Sequence, residues 1–160
     1  MRTNKQNGFS LIELLIVVAI IGIIASIAIP SLLASKRAAN EGSALSAMRT
    51  IHSAQVTYQN TAGAGSYGTL ANLGTERLID QVLSTGNKSG YTVECPVANL
   101  AVGPPPTFYA TAIPASTGAV TRTGNRSFAI ADDGILRGKV TDVAAASRAD
   151  TLDSAIWPPM

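Results

Sequence analysis

Hydrophobic and polar positions fall into three regimes along the chain. Residues 1–8, MRTNKQNG, are polar and basic. Residues 9–13, FSLIE, open an apolar run, and residues 14–35 continue it without a single Asp, Glu, Lys or Arg. A stretch of roughly 18 or more such residues is long enough to cross a bilayer. In lipid it must be helical, because every backbone group has to be paired internally. Gly22 and Pro30 lie inside it, and Pro30 removes one helical hydrogen bond and predicts a kink. Residues 36–61 turn amphipathic. Leu45, Met48, Ile51 and Tyr58 recur at helical spacing with Ala44 and Val56 beside them, while Arg37, Glu41, Arg49 and Gln59 fall largely elsewhere. Residues 9–61 therefore read as one long, kinked helix of roughly 80 Å. A helix of that length, half of it apolar, calls for other copies packed around it.

After this helix the period changes. The stretch TAGAGSYG (61–68) stops the helix with three glycines. Residues 76–84, ERLIDQVLS, predict a short second helix with Leu78, Ile79, Val82 and Leu83 inward. Three β-prone runs follow at 91–95, 108–113 and 127–131, and a short fourth at 135–136 after the hairpin signal Asp132-Asp133-Gly134. Pro104-Pro105-Pro106 punctuates the loop between the first two. Consecutive strands favour an antiparallel sheet packed on the amphipathic half of the long helix. The expected fold is α+β: a long kinked N-terminal helix, its first half membrane-spanning, packed on a small antiparallel sheet head. The expected division is a basic leader at 1–8, a membrane or assembly helix at 9–35, its amphipathic half at 36–61, and a head at 62–160. The Ala- and Asp-rich tail from Val140, ending in Trp157-Pro158-Pro159, yields no element.

Charge sharpens this picture. The 160 residues carry 12 Lys+Arg and 10 Asp+Glu. Arg2 and Lys5 both precede Gly8, so without residues 1–8 the balance is 10 against 10. A neutral body gives no electrostatic case for nucleic acid as a partner. Basic residues before a spanning helix mark its cytoplasmic side, so the head is expected to be exported. The lone Cys95 allows no intrachain disulfide.

The informative element is Gly8-Phe9-Ser10-Leu11-Ile12-Glu13. A carboxylate inside an apolar helix is costly, on the order of 3 kcal/mol near a membrane centre and less near its edge. If the chain is cut between Gly8 and Phe9, a new amine appears on Phe9. Glu13 of one subunit can pair with the Phe9 amine of a neighbour, and that pairing would set the register between adjacent helices. The helix macrodipole also favours Glu13 near the N-terminus.

The segment GFSLIELLIVVAIIGIIASIAIP resembles the N-terminus of type IV pilins and of the related type II secretion pseudopilins. The resemblance is strong over residues 7–35 and looser over 36–61. SALSAMRTIHSAQVTYQ, SGYTV, FYATAIP and RSFAIADDGILRG are similar to helix and sheet segments of certain bacterial pilins. The resemblance implies a prepilin peptidase that cuts after Gly8 and N-methylates Phe9. It places the family's assembly glutamate at Glu13 and its helix-kinking proline at Pro30. Many members close a C-terminal loop with a disulfide; this chain, with Cys95 alone, departs from them.

Blander readings stand beside these. An ordinary secretory signal has a shorter apolar core; the alternative cuts it would suggest follow Ala28 or Ala34. Gly22 and Ala25 read equally well as a close-packing face or as ordinary membrane composition. Asp132 and Asp133 are weak calcium candidates, better explained as turn residues. His52 and Cys95 read as structural residues, and Tyr58, Tyr67, Tyr91 and Tyr109 as packing. The patterns Asn87-Lys88-Ser89 and Asn125-Arg126-Ser127 match an N-glycosylation acceptor but also read as turns. No nucleophile–base pair, phosphate loop or metal-ligand spacing is present, so neither enzymatic activity nor a cofactor is expected.

The expected function is a structural one: a filament subunit of the major-pilin kind. It begins as a single-pass inner-membrane precursor and ends in an extracellular filament or a periplasmic pseudopilus. The expected partners are copies of itself in a helical filament, the prepilin peptidase, and a pilus or secretion assembly platform. The alternatives are a pseudopilin of a type II secretion system, and an exported binding module on a simple membrane anchor.

Overall fold

The computed structural model describes residues 8–99, 104–118 and 120–160. The basic residues Arg2 and Lys5 of the expected leader lie outside the described residues. The chain divides into two units, Met1–Lys36 and Arg37–Met160, and helix α1 (Leu11–Asn60) contributes to both.

In the first unit α1 is apolar on all sides and solvent-exposed. An 18-residue window of this helix reaches a mean hydropathy of 2.9, and none of that window is buried. It is long and apolar enough to cross a membrane. Pro30 lies inside the continuous helix. It has no N–H to give to the carbonyl of Ser26, four residues back. The Ser26 hydroxyl itself turns back to donate to the Ile23 carbonyl at 2.8 Å.

The second unit is the α+β head that the residue pattern predicts. Two short helices follow α1: α2 (Leu70–Thr75) and α3 (Gln81–Ser84). The strands are β1 (Asn87–Lys88), β2 (Tyr91–Glu94), β3 (Val97–Ala98), β4 (Thr107–Pro114), β5 (Ser127–Ala131) and β6 (Leu136–Lys139). A last helix, α4, spans Arg148–Leu152. The sheet runs β1-β2-β4-β5-β6 with every neighbour antiparallel, and β3 pairs with the start of β4. Registers such as Val93↔Ala112 and Ala112↔Phe128 bring alternate residues of the three central strands to one face.

That face packs on α1. The buried helix positions are Ala44, Ala47, Met48, Ile51, Ala54 and Gln55, a three-four repeat over more than three turns. They meet Tyr91, Val93, Phe108, Ala110, Ala112, Phe128 and Ile130. Leu45 and Tyr58 join as partly buried neighbours, but Val56, expected on this face, is exposed. The seam is instead built from small alanines, which let the helix backbone lie close to the sheet.

Two local expectations are replaced. Of the helix expected at 76–84 only the last turn forms, as α3; α2 lies before that range and ends at Thr75. Arg77 adopts a left-handed φ of 56°, which a helix cannot continue through. Asp80 then caps α3 by accepting the Leu83 N–H at 2.7 Å. Ile79 and Leu83 are buried and Val82 is exposed. The fourth strand starts at Leu136, because the Ile135 N–H is taken by the Asp133 carboxylate in the turn.

The tail without a predicted element covers the opposite face of the sheet. Trp157 and Ala145 are buried against Ala129 in a second apolar cluster. The Ser127 hydroxyl donates to the Thr141 carbonyl at 2.6 Å, and the Tyr109 hydroxyl to the Ala146 carbonyl at 3.1 Å. Arg122 pairs with Asp142, and Arg148 with Asp132. Finally, the Gly138 N–H bonds to the Pro158 carbonyl and the Met160 N–H to the Leu136 carbonyl, which closes the free edge of β6.

Candidate functional site

Residues Gly8, Phe9 and Ser10 precede α1 and are exposed, with Phe9 90% accessible. The Ser10 carbonyl accepts the Leu14 N–H at 3.3 Å, so Ser10 stands at the N-cap. Glu13 is then the third residue of the helix. Its Oε2 accepts the Ser10 N–H at 2.9 Å. This is the carboxylate half of a capping box, in which a Glu three residues into the helix reaches back to the N-cap N–H. The S-x-x-E signature at 10–13 carries it in the sequence, where charge alone had suggested the role of Glu13. The bond uses one oxygen. Among the described residues Oε1 has no hydrogen-bond partner.

The Gly8–Phe9 peptide therefore lies outside the helix, and the helix begins two residues beyond it. Downstream, Pro30 and the exposed apolar side chains occupy the same element as Glu13. The structure thus strings Gly8, Phe9, Glu13 and Pro30 along one segment, and none of the hydrogen bonds or ion pairs among the described residues brings a second group of side chains to them.

With this geometry in hand, comparisons with known proteins discriminate. The family described as the prokaryotic N-terminal methylation motif matches residues 3–29. The type II secretion system core protein G of Escherichia coli is 32% identical over 99 residues, 59% of this chain and 66% of that protein. The type IV major pilin protein PilA of Myxococcus xanthus is 36% identical over 111 residues, 66% of this chain and 47% of that protein. The chain belongs to the type IV pilin and pseudopilin family. The type IV wide pilus major component PilA4 of Thermus thermophilus is 55% identical over 38 residues, 24% of this chain and 29% of that protein. The chain thus spans about two thirds of the first of these relatives and about half of the second. No solved structure gives a significant match.

The remaining candidates of this pilin-family chain sit in the head. Asp132 is held by Arg148 through two bonds of 2.6 and 2.7 Å. Asp133 is held by Arg137 at 3.2 and 2.6 Å. Burial acts to raise the Asp133 pKa, but the Arg137 guanidinium and the Ile135 N–H outweigh it and hold the carboxyl below its ordinary value. A calcium ion at this turn would have to displace both arginines. Among the described residues no three His, Cys, Asp or Glu side chains converge on a metal position. His52 stacks at a tilt near Phe108, with 5.9 Å between ring centroids. The Cys95 thiol is buried, which pushes its pKa up to about 11 against a lowering hydrogen bond from Gln55. Asn87 is exposed, whereas Ser127 of the second glycosylation-like triplet is buried.

Gln55 is the residue that a polar–apolar reading misses. It is fully buried on the core face of α1. Its amide accepts the Gly68 N–H at 2.9 Å and donates to the Gly68 carbonyl at 2.5 Å and to Cys95 Sγ at 3.2 Å. It thereby pins the glycine-rich loop that leaves the helix.

Proposed function

We propose that this chain is the structural subunit, of the major-pilin kind, of a type IV pilus-like filament. One observation carries the reading: an exposed helix starts at Leu11, shortly after Gly8, is begun by a Ser10–Glu13 cap and carries no charge from residue 14 to 35. Exposed apolar surface on this scale needs lipid or other copies around it. The reading has the precursor cross the inner membrane once, with residues 1–8 inside. A prepilin peptidase cuts after Gly8 and methylates Phe9. The mature subunit, starting at Phe9, is then moved by an assembly platform into a helical array with residues 9–35 in the centre. The head, residues 62–160 with the helix segment 36–61, forms the outer wall.

Glu13 has two tasks in this scheme. Within its own chain it caps the helix through Oε2. Toward a neighbouring subunit, Oε1 receives the Phe9 ammonium, and the low dielectric away from water strengthens their attraction. Helix capping needs an acceptor oxygen, whereas the pairing needs a charge, so two substitutions separate them. Glu13→Gln keeps an acceptor and loses the charge; Glu13→Ala loses both. Filaments should be lost in both variants while membrane insertion is retained. Normal filaments from Glu13→Gln would show that the cap, not the charge, is what assembly needs. Mass spectrometry of the mature subunit should find a chain beginning at methylated Phe9; an intact Met1 or a start at Ile29 would sink the processing scheme.

The similarity to a type II secretion system core protein supports a second reading, a pseudopilin. Electron microscopy of long surface fibres labelled by an antibody to the head favours the pilin. Loss of protein secretion on deletion, without loss of fibres, favours the pseudopilin.

A further inference from the structure

A pocket of about 170 Å³ opens on the face of the head covered by residues 140–160. Trp157 forms part of its lining, and Val143 and Ile156 stand at it, 69% and 39% exposed. Charged residues nearby are mostly spent on each other: Asp142 holds Arg122, Asp132 holds Arg148 and Asp133 holds Arg137. Two charged residues belong to the pocket lining itself. Lys139 and Asp150 both line this pocket, and among the described residues neither side chain has an ion-pair or hydrogen-bond partner. An exposed apolar depression bordered by one unpaired cation and one unpaired anion marks a contact surface.

The charges also say what fits it. A partner must offer an anion to Lys139, a cation to Asp150 and an apolar projection to the pocket. A second copy turned about a two-fold axis offers all three: its Asp150 meets Lys139, its Lys139 meets Asp150, and its Val143 enters the pocket. In such a contact each residue pair occurs twice, so opposite charges on one patch are self-complementary. The balance of 10 basic and 10 acidic residues beyond Gly8 leaves no net repulsion between copies. We propose that this patch joins the heads of two copies in a two-fold contact. The contact stands apart from the helix-mediated assembly. A two-fold contact closes on itself and cannot extend a polar filament; on the filament reading above, it therefore links two filaments side by side.

The test uses the full chain with one copy per lipid nanodisc, so that lipid occupies the apolar helix and only heads can meet. Sedimentation velocity at rising concentration should show pairs of discs and nothing larger. K139D and D150K should each weaken pairing about tenfold or more. The double variant K139D/D150K should restore it to within about threefold, because the pairs are re-formed with the signs exchanged. V143R, at an exposed position, should abolish pairing, with Trp157 fluorescence confirming a folded head. Discs that stay single, form larger assemblies, or pair regardless of K139D, D150K or V143R would overturn the proposal. Pairing discs from a chain that makes no filaments would sink the filament reading and leave this contact standing. Filaments from a chain whose discs stay single would do the reverse.

Discussion

Replacing Gln55 by leucine tests how the helix is tied to the head. The side chain is fully buried, and its amide serves both the N–H and the carbonyl of Gly68, itself buried. Leucine fills a similar volume, so little cavity forms. What is lost is pairing: two backbone groups remain buried with nothing to bond, at about 1–3 kcal/mol each. Better burial of an apolar side chain offsets part of this, leaving a net loss of about 2–4 kcal/mol. In a head of about 120 residues, each kcal/mol moves the melting temperature by about 3–5 °C, so Gln55→Leu should melt about 6–20 °C lower. Trp157, the one tryptophan, is buried in the head and provides the fluorescence signal for a melt of the full chain in detergent. Thr57→Ala is the control. Its hydroxyl donates only to the exposed Ser53 turn of the same helix, and the change should shift melting by about 2 °C or less. Hydrogen exchange at the Gly68 amide should accelerate in Gln55→Leu alone. A Gln55→Leu melting point within about 2 °C of the parent would refute the reasoning.

Asp133→Asn should destabilise the head by about 2–3 kcal/mol in a denaturant titration, because Arg137, 5% exposed, loses its counter-charge while its Nε is already without a partner. The Asp133 carboxyl titrates lower in the folded head than in the unfolded chain, so its contribution is present above about pH 4 and fades as pH falls through the folded value. The gap between parent and Asp133→Asn should accordingly narrow below about pH 4. Cys95 should resist maleimide at pH 8 in the folded protein and react fully once denatured, since burial holds its thiol protonated; rapid labelling of the folded chain would contradict that burial.

Much of this architecture is legible in the residue pattern because its determinants are local. An uncharged run and a three-four repeat announce α1, and glycines announce its end. The face of α1 was only half visible. Leu45, Met48 and Ile51 declare themselves by side-chain chemistry, whereas Ala47 and Ala54 suit either a surface or a core, and Gln55 reads as polar. Of the short helices, α3 falls inside the expected 76–84 but starts later, because Arg77 takes a left-handed conformation that no periodicity signals, and α2 was not read from the pattern. The tail escaped for a different reason. What holds it joins residues distant along the chain: Arg122 with Asp142, Asp132 with Arg148, Trp157 with Ala129. At the N-terminus, Gly8 and Glu13 stand out in the sequence, but the bond that Glu13 makes within its own chain emerges only from the geometry of the first turn.

The alanine seam between α1 and the sheet sets a direction for change. At Ala44 and Ala47 a larger side chain has nowhere to go without lifting the helix, and adding volume to a filled core typically costs about 1–3 kcal/mol. Drift at these positions is blocked toward larger residues, and toward glycine it weakens the helix. Novelty in the head must therefore accumulate away from the seam, and the loop between β4 and β5 is not free to supply it: Arg37 and Asn40 of α1 donate to the Arg122 and Thr123 carbonyls, and Glu41 accepts the Asn125 N–H. Such a subunit can exchange its outer surface over generations while the rod it hangs from keeps the same gauge.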